Sequence, residues 1–335
     1  MKKSLWAGKN GPLLIAEIGG NHEGNINYAK KLINLAAKSG VDCIKLQIYS
    51  EKSLVNKHLD QKRYDHFKRF SLKIEDYIYL AKFIKGKGLD FSASIWDPDL
   101  INIFKKYVSF YKIGSGDLTA FDIIDKIVKT NKKILLSTGL SSLEQISNTI
   151  SFIKKYKLFN VRKKLILLHC TSLYPNDYKN VNLKAINQLK NKFNLEIGYS
   201  DHCLDDNAIL LSVLNEIKYI EFHFTDNKKR KFRDHQLSLD KLDVKRLIRL
   251  GNLFNKLLGK YDKEVKLNSK NDKKILSKGV IFSRDLKKNH KIKITDLSFA
   301  RPAKHFFAND VKKILGKKLK KSVKDGFLVK RTDLL

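Results

Sequence analysis

Eight short apolar runs, each closed by turn-forming residues, are spaced through the first two-thirds of the chain, and helix-patterned stretches separate them. The runs are residues 13–19, 43–49, 91–96, 110–115, 134–139, 165–171, 196–201 and 219–225. Among the intervening stretches, "NYAKKLINLAAKSG" repeats apolar residues three and four apart and stops at Gly40. "SSLEQISNTISFIKKYK" opens with a serine cap at Ser141 or Ser142. "NAILLSVLNEIK" and "KLDVKRLIRLGNLFNKLL" supply two more helices, and residues 49–90 leave room for another two. Strands that alternate with helices pair in parallel, because a crossover helix returns the chain to the same end of the sheet. Eight such units in about 250 residues predict an α/β fold of the (β/α)8, TIM-barrel class. A doubly wound open sheet is the competing arrangement, and the count of eight favours the barrel. After Leu258 the texture changes. Residues 261–277 are polar and read as a linker, and residues 278–335 predict a small β-rich domain behind a barrel domain of residues 1–260.

In a barrel the site is built where the strands end, and nearly every predicted strand here ends in polar chemistry. The first reaches Glu17 and runs into "GGNHEG", with Asn21 and His22; the second carries Lys45 and Gln47, two apart and so on one face. Ser94 ends the third. Lys112, Ser115 and Asp117 come with the fourth, Ser137 with the fifth, and Thr171, Ser172 and Tyr174 after the sixth. The seventh leads to Ser200 and His202, and the eighth puts Glu221, His223 and Thr225 on one face. An inward lysine needs a counter-charge or an anionic ligand. Surface snorkelling and a Schiff-base role are the alternatives for Lys45 and Lys112. Serines beside glycines at successive strand ends suit a phosphate. Glu17 and Asp117 are candidate acid–base groups, with capping or ion pairing as the ordinary alternative. His202 and His223 end adjacent strands and can share one metal, leaving positions for water and substrate, although two histidines alone are a weak signal. These residues predict a cationic, phosphate-binding, metal-capable barrel mouth without naming a reaction.

The formal charge of +34 raises nucleic acid as a partner. Only ten of the 68 basic residues are Arg, and the lysines are dispersed, whereas phosphate and base readers rely on the guanidinium fork. Salt-sensitive sticking is expected, and specific nucleic-acid binding is not. No apolar run approaches the roughly 18 residues of a membrane span, and no signal-peptide pattern opens the chain. Three cysteines, none in a C-x-x-C, suit a reducing, cytoplasmic setting without a disulfide framework or zinc knuckle. Cys43 and Cys170 fall in apolar runs, as core thiols do.

In order along the chain, "IAEIGGNHEGN", "IKLQ", "YKIGSGDLT", "LSTGL", "LHCTSLYP", "GYSDH" and "EFHFTD" resemble the motifs of the N-acetylneuraminate (sialic acid) synthase family. The tail "SRDLKKNHKIKITDLSFARP" with "LGKKLKKSVKDG" resembles that family's C-terminal antifreeze-like (SAF) domain, so the likeness spans almost the whole chain. The resemblance implies a transferase that condenses phosphoenolpyruvate with an open-chain, N-acetylmannosamine-like amino sugar, giving a nonulosonic acid and phosphate. It implies His202 and His223 as ligands of a divalent metal, manganese first, with magnesium or cobalt as alternatives. It implies a phosphoenolpyruvate cradle of Lys45, Lys112, Ser115, Ser137, Ser172 and Ser200, with Gln47 and Ser94 beside it. Glu17 and Asp117 match acidic positions of the family, and Tyr174 and Asp234 would lie near the substrates. Arg301 matches an arginine that reaches into the partner subunit's site, which implies a domain-swapped homodimer.

Three departures fall where the acceptor sugar would lie. "RPAKHF" stands where the family reads R-P-G-x-G, "KFRD" with Arg233 replaces a Gly-Pro before Asp234, and "LQIY" replaces the "HQTH" of some members. Legionaminic, pseudaminic or another surface-polysaccharide nonulosonate is therefore the alternative product. A phosphosugar-using aldol enzyme and a non-catalytic basic binding protein on a barrel scaffold are the remoter readings.

Overall fold

The computed structural model describes residues 7–231, 234–259, 263 and 271–335. The eight runs form β1 (Leu13–Glu17), β2 (Cys43–Ile48), β3 (Asp90–Ile95), β4 (Phe110–Ile113), β5 (Lys133–Ser137), β6 (Leu165–His169), β7 (Glu196–Asp201) and β8 (Tyr219–His223). They pair in parallel in sequence order, and β8 closes on β1 to complete the barrel. All but the seventh expected run overshoot their strand by one or two residues. There the chain has already turned into the loop that carries the polar residues.

Local chemistry accounts for the helices. The Asn25 side chain accepts the N–H groups of Asn27 and Tyr28 and starts the helix Ile26–Ser39, which Gly40 ends at a φ of 98°. Ser142 caps Leu143–Lys154, with Gln145 returning a bond to the cap backbone. Residues 49–90 hold three helices, Glu51–Leu54, Gln61–Phe70 and Ile74–Gly86, one more than expected. The extra one is a single turn that Ser50 and Ser53 cap reciprocally. The stretch 207–218 is helical only over Asn207–Ser212 and then tightens into the turn Val213–Asn215.

Two faces of each strand do different work. Outward residues such as Ile44, Leu46, Tyr111, Leu136 and Leu167 join the helices in the large core. Inward, Leu13, Ile15, Cys43, Phe110, Leu135, Ile166, Leu168 and Tyr219 form a separate apolar plug. The same inward parity continues toward the strand ends as Glu17, Lys45, Lys112, Ser137 and Glu221. Each inward row thus changes from apolar to polar within the strand. That change converts a packed barrel into one with a site at its C-terminal end.

The chain forms two compact units, Met1–Gly259 and Lys260–Leu335. In the second, β9 (Gly279–Phe282) pairs antiparallel with β10 (Leu297–Ala300). Val280, Phe282, Ile292, Ile314, Leu319 and Val329 fill its core. Buried Asp296 accepts hydrogen bonds from Arg284, His290 and the Lys293 N–H, which ties the turn after β9 to the start of β10. Residues 261–262 and 264–270 of the expected linker lie outside the described residues, as does Arg233; Asp272–Leu276, also in that stretch, is helical rather than coil. Among the described residues no helix is long and apolar enough to cross a membrane. All three cysteines are free and buried.

Candidate active site

The strand ends surround a cavity of about 650 Å³. Lys45 from β2, Lys112 from β4 and Glu221 from β8 meet there: Glu221 Oε1 is 3.6 Å from each ammonium nitrogen. Glu17 from β1 pairs with Lys45 and also accepts the Gly19 N–H. All four side chains are buried, and two carboxylates balance two ammonium groups. Burial pushes the Glu221 carboxyl up, but Lys112 and Lys45 together outweigh it and hold the pKa at about 2. Burial, with repulsion from Lys112, brings Lys45 down to about 8 against the pull of Glu221, so it stays protonated at neutral pH. The lysines therefore face inward and do not snorkel. Glu221 is their counter-charge.

Hydroxyls flank the lysines. Ser115 accepts the Gly139 N–H at 3.1 Å and lies 3.2 Å from Cys170 Sγ, so Cys170 reaches the cavity wall rather than the core. Ser137 Oγ and Ser172 Oγ are buried without a hydrogen-bond partner among the described residues. Such a group costs about 1–3 kcal/mol, and a ligand rich in acceptor oxygens would satisfy both. Gly139 permits the crowding: a Cβ there would sit 2.7 Å from Ser172 Oγ and 2.9 Å from Cys170 Sγ. Ser200 lies opposite Glu221 in the β7–β8 register, and Ser94 opposite Gln47 between β2 and β3.

His202 and His223 stand with ring centroids 5.5 Å apart, and the Tyr174 ring packs against both at 4.1 and 6.1 Å. His202 Nδ1 lies 2.7 Å from the Thr171 carbonyl. A proton on that nitrogen leaves the Nε2 lone pair available. His223 Nδ1 is 3.7 Å from Asp234 Oδ2. Burial, reinforced by His223, lowers His202 to about 4, and burial lowers His223 as well. Both rings are then neutral at pH 7, the form that ligates metal. Among the described residues, no group of three or more His, Cys, Asp or Glu is placed to hold an ion by itself. The donor set is two imidazoles, which fits an ion whose remaining positions go to water and substrate.

An aromatic wall completes the cavity. Tyr49 and Trp96 lie two residues beyond Gln47 and Ser94 and both line it. Tyr49 packs against Trp96 at 5.6 Å and edge-on to Phe67 at 5.5 Å, in a cluster distinct from the main core. Arg63, His66 and Phe70 extend the wall along the helix Gln61–Phe70. Trp96 Nε1 donates to Asp117 Oδ2 at 2.5 Å. Burial raises the Asp117 carboxyl above its ordinary value, against that hydrogen bond and the charge of Lys112. Sequence reasoning missed this wall because aromatic residues beside apolar runs look like core. Their period-two spacing from Gln47 and Ser94 was the available signal.

The residues that the family resemblance assigns to the site line this one cavity, except Glu17 and Arg301. Glu17 is buried, pairs with Lys45 and does not reach the lining. Arg301 belongs to the second unit and is exposed directly after β10. Asn21 and His22 hold loops in place. Asn21 Nδ2 donates to the Phe224 carbonyl and to Ser238 Oγ, both at 2.9 Å, and buried His22 accepts the Gly24 N–H. Thr225 Oγ1 lies 2.6 Å from His235 Nδ1, which fixes the chain just past β8.

Comparison with known proteins agrees with this geometry. The NeuB family matches residues 32–263, and the SAF domain matches residues 277–335. An uncharacterised protein of Methanocaldococcus jannaschii is 34% identical over 98% of this chain and 97% of its own length. The N,N'-diacetyllegionaminic acid synthase of Campylobacter jejuni is 31% identical over 95% of this chain and 98% of that protein. The crystal structure of N-acetylneuraminic acid synthetase from Leptospira borgpetersenii in complex with citrate superposes with a TM-score of 0.71 at 29% identity, covering 77% of this chain and 88% of that one. The chain therefore belongs to the NeuB family, with a nonulosonate synthase barrel followed by an SAF domain.

Proposed function

We propose that the protein condenses phosphoenolpyruvate with a diacetamido-trideoxyhexose of the legionaminic type, forming a carbon–carbon bond and releasing phosphate. One observation carries the reaction class: two buried hydroxyls, on Ser137 and Ser172, without a hydrogen-bond partner among the described residues, share a cavity with two buried lysines. That is a site for a small polyanion, and phosphoenolpyruvate presents a phosphate and a carboxylate. In this reading the enol carbon attacks the acceptor aldehyde, water adds to the neighbouring carbon, and phosphate leaves by C–O cleavage. Lys45 and Lys112 hold the anionic reactant while Glu17 and Glu221 keep the empty pocket neutral. Asp117, raised by burial, is suited to exchange a proton at the acceptor. His202 and His223, with Asp234 beside them, would hold a divalent ion, manganese first. Such an ion supplies Lewis-acid polarisation of the aldehyde.

Two observations favour the diacetamido acceptor over the N-acetylmannosamine that the motifs imply. The Campylobacter relative makes N,N'-diacetyllegionaminic acid and matches over nearly its full length. The wall of Tyr49, Phe67 and Trp96 suits acetamido methyls and a deoxy carbon. Phosphate release with manganese is expected to favour the diacetamido-trideoxyhexose over N-acetylmannosamine by about tenfold or more in kcat/KM, and a chelator should stop it. Equal or better turnover of N-acetylmannosamine would overturn the acceptor. Release with a phosphosugar alone would overturn the reaction.

The swapped homodimer belongs to the same proposal, with Arg301 serving the partner's barrel. Arg301→Ala and His202→Ala chains are each expected to be inactive alone and to regain part of the activity when their subunits are exchanged. Only a swap leaves one intact site per mixed dimer. Mixed dimers as inactive as their parents would refute it.

A further inference from the structure

We propose that Trp96 is a positioning residue for Asp117: its indole N–H fixes one carboxylate oxygen, leaving the other for the reactants, so the aromatic wall also orients the acid–base group. The inference rests on reading the cavity as a nonulosonate synthase site.

Asp117 ends a one-turn helical segment, Ser115–Asp117, that follows Gly114 and includes exposed Gly116. So short a segment does little to hold a side chain in one rotamer. Among the described residues, Trp96 is the hydrogen-bond donor to the carboxylate, at 2.5 Å and from 21 residues away. The donor itself is well held. The Trp96 backbone N–H bonds to the Ile48 carbonyl at 3.0 Å, and its ring packs against Tyr49, which meets Phe67 edge-on. A rigid donor opposite a loosely seated carboxylate sets the carboxylate's direction. The other charges acting on Asp117 are Lys112 from β4, which favours the ionised form, and Asp122 from the next helix, which opposes it. Arg63 and His66 line the same cavity. Losing the indole bond removes a stabiliser of the ionised form, so the pKa of Asp117 should rise further.

Trp96→Phe keeps an aromatic ring and deletes the donor. It is expected to lower kcat on the order of tenfold with the KM for phosphoenolpyruvate unchanged. The pH limb that reports Asp117 should move to higher pH. In an Asp117→Asn background the same change should have no further effect on kcat, because Trp96 acts through that carboxylate. Multiplying effects, or a pH limb that stays in place, would overturn the proposal. A second readout needs no turnover. The chain has two tryptophans, and Trp96→Phe assigns the Trp96 indole N–H resonance. That resonance should shift with pH in the wild type and lose the shift in Asp117→Asn. Failure of the underlying function shows separately, as wild-type protein that releases no phosphate with any amino sugar. Failure of this inference shows as active wild type whose indole resonance ignores Asp117→Asn.

Discussion

Phosphate release should fall roughly a thousandfold when either His202 or His223 is replaced by alanine, while the far-ultraviolet spectrum and unfolding midpoint stay near wild type. The two effects separate because of where the rings sit. Both are side chains of the cavity lining, so truncation enlarges a space that water can fill instead of opening a sealed void in the core. Their pKa values lie below the ordinary histidine value, chiefly through burial, so neither ring carries a charge that the fold needs at neutral pH. The loss therefore falls on ligand geometry. Manganese titration of the purified protein checks this independently of activity, and each variant should bind the ion more weakly. Full turnover in either variant would remove that histidine from the metal site.

Glu221→Gln should be the most damaging single change to the fold around the site. It leaves Lys45 and Lys112 buried with Glu17 as the remaining carboxylate of the group, a net charge of +1 where there was none. Removing one partner from a buried ionic group costs about 3–5 kcal/mol. The unfolding midpoint should drop accordingly, and phosphoenolpyruvate or inorganic phosphate should restore more stability to the variant than to the wild type, since the anion replaces the missing charge. The pH dependence has a definite sign. Glu221 is held near 2 against an ordinary value of 4.5, so its contribution is fully present above pH 4.5 and is lost as the pH falls through 2. The stability gap between wild type and Glu221→Gln should therefore close across that acid window and stay open at neutral pH. A variant as stable as wild type at pH 7 would mean that the lysines do not depend on this carboxylate.

Much of this site was legible before any coordinates. Lys45 and Lys112 declared themselves by their inward parity with Cys43 and Phe110, since a charge on that face needs a partner. Ser137 stood out, with Ser115 and Ser200, through recurrence at strand ends, and Ser172 through the family resemblance. Charge pairing was harder to read. Glu17, a candidate acid–base group with ion pairing as the alternative, pairs with Lys45, and Glu221 balances two lysines. Asn21 and His22 looked chemical and brace loops. For the two carboxylates the residue type was visible, but the partner lay on another strand.

That distinction has a physical cause. Periodicity, caps and turn residues act within a few positions, so the sequence by itself determined the alternation of eight strands with helices, the change from apolar to polar along the inward rows, and a distinct β-rich tail. Closure of β8 on β1 pairs Ile15 with Glu221 and Glu17 with His223. Only that closure brings Glu221 to the two lysines, whereas His202 and His223 meet through the pairing of the consecutive strands β7 and β8. The hydrogen bond from Trp96 to Asp117 likewise depends on the seating of β3 against β4. Register across a closed barrel is a property of all its strands together, and the tertiary structure alone decides which inward charges become neighbours.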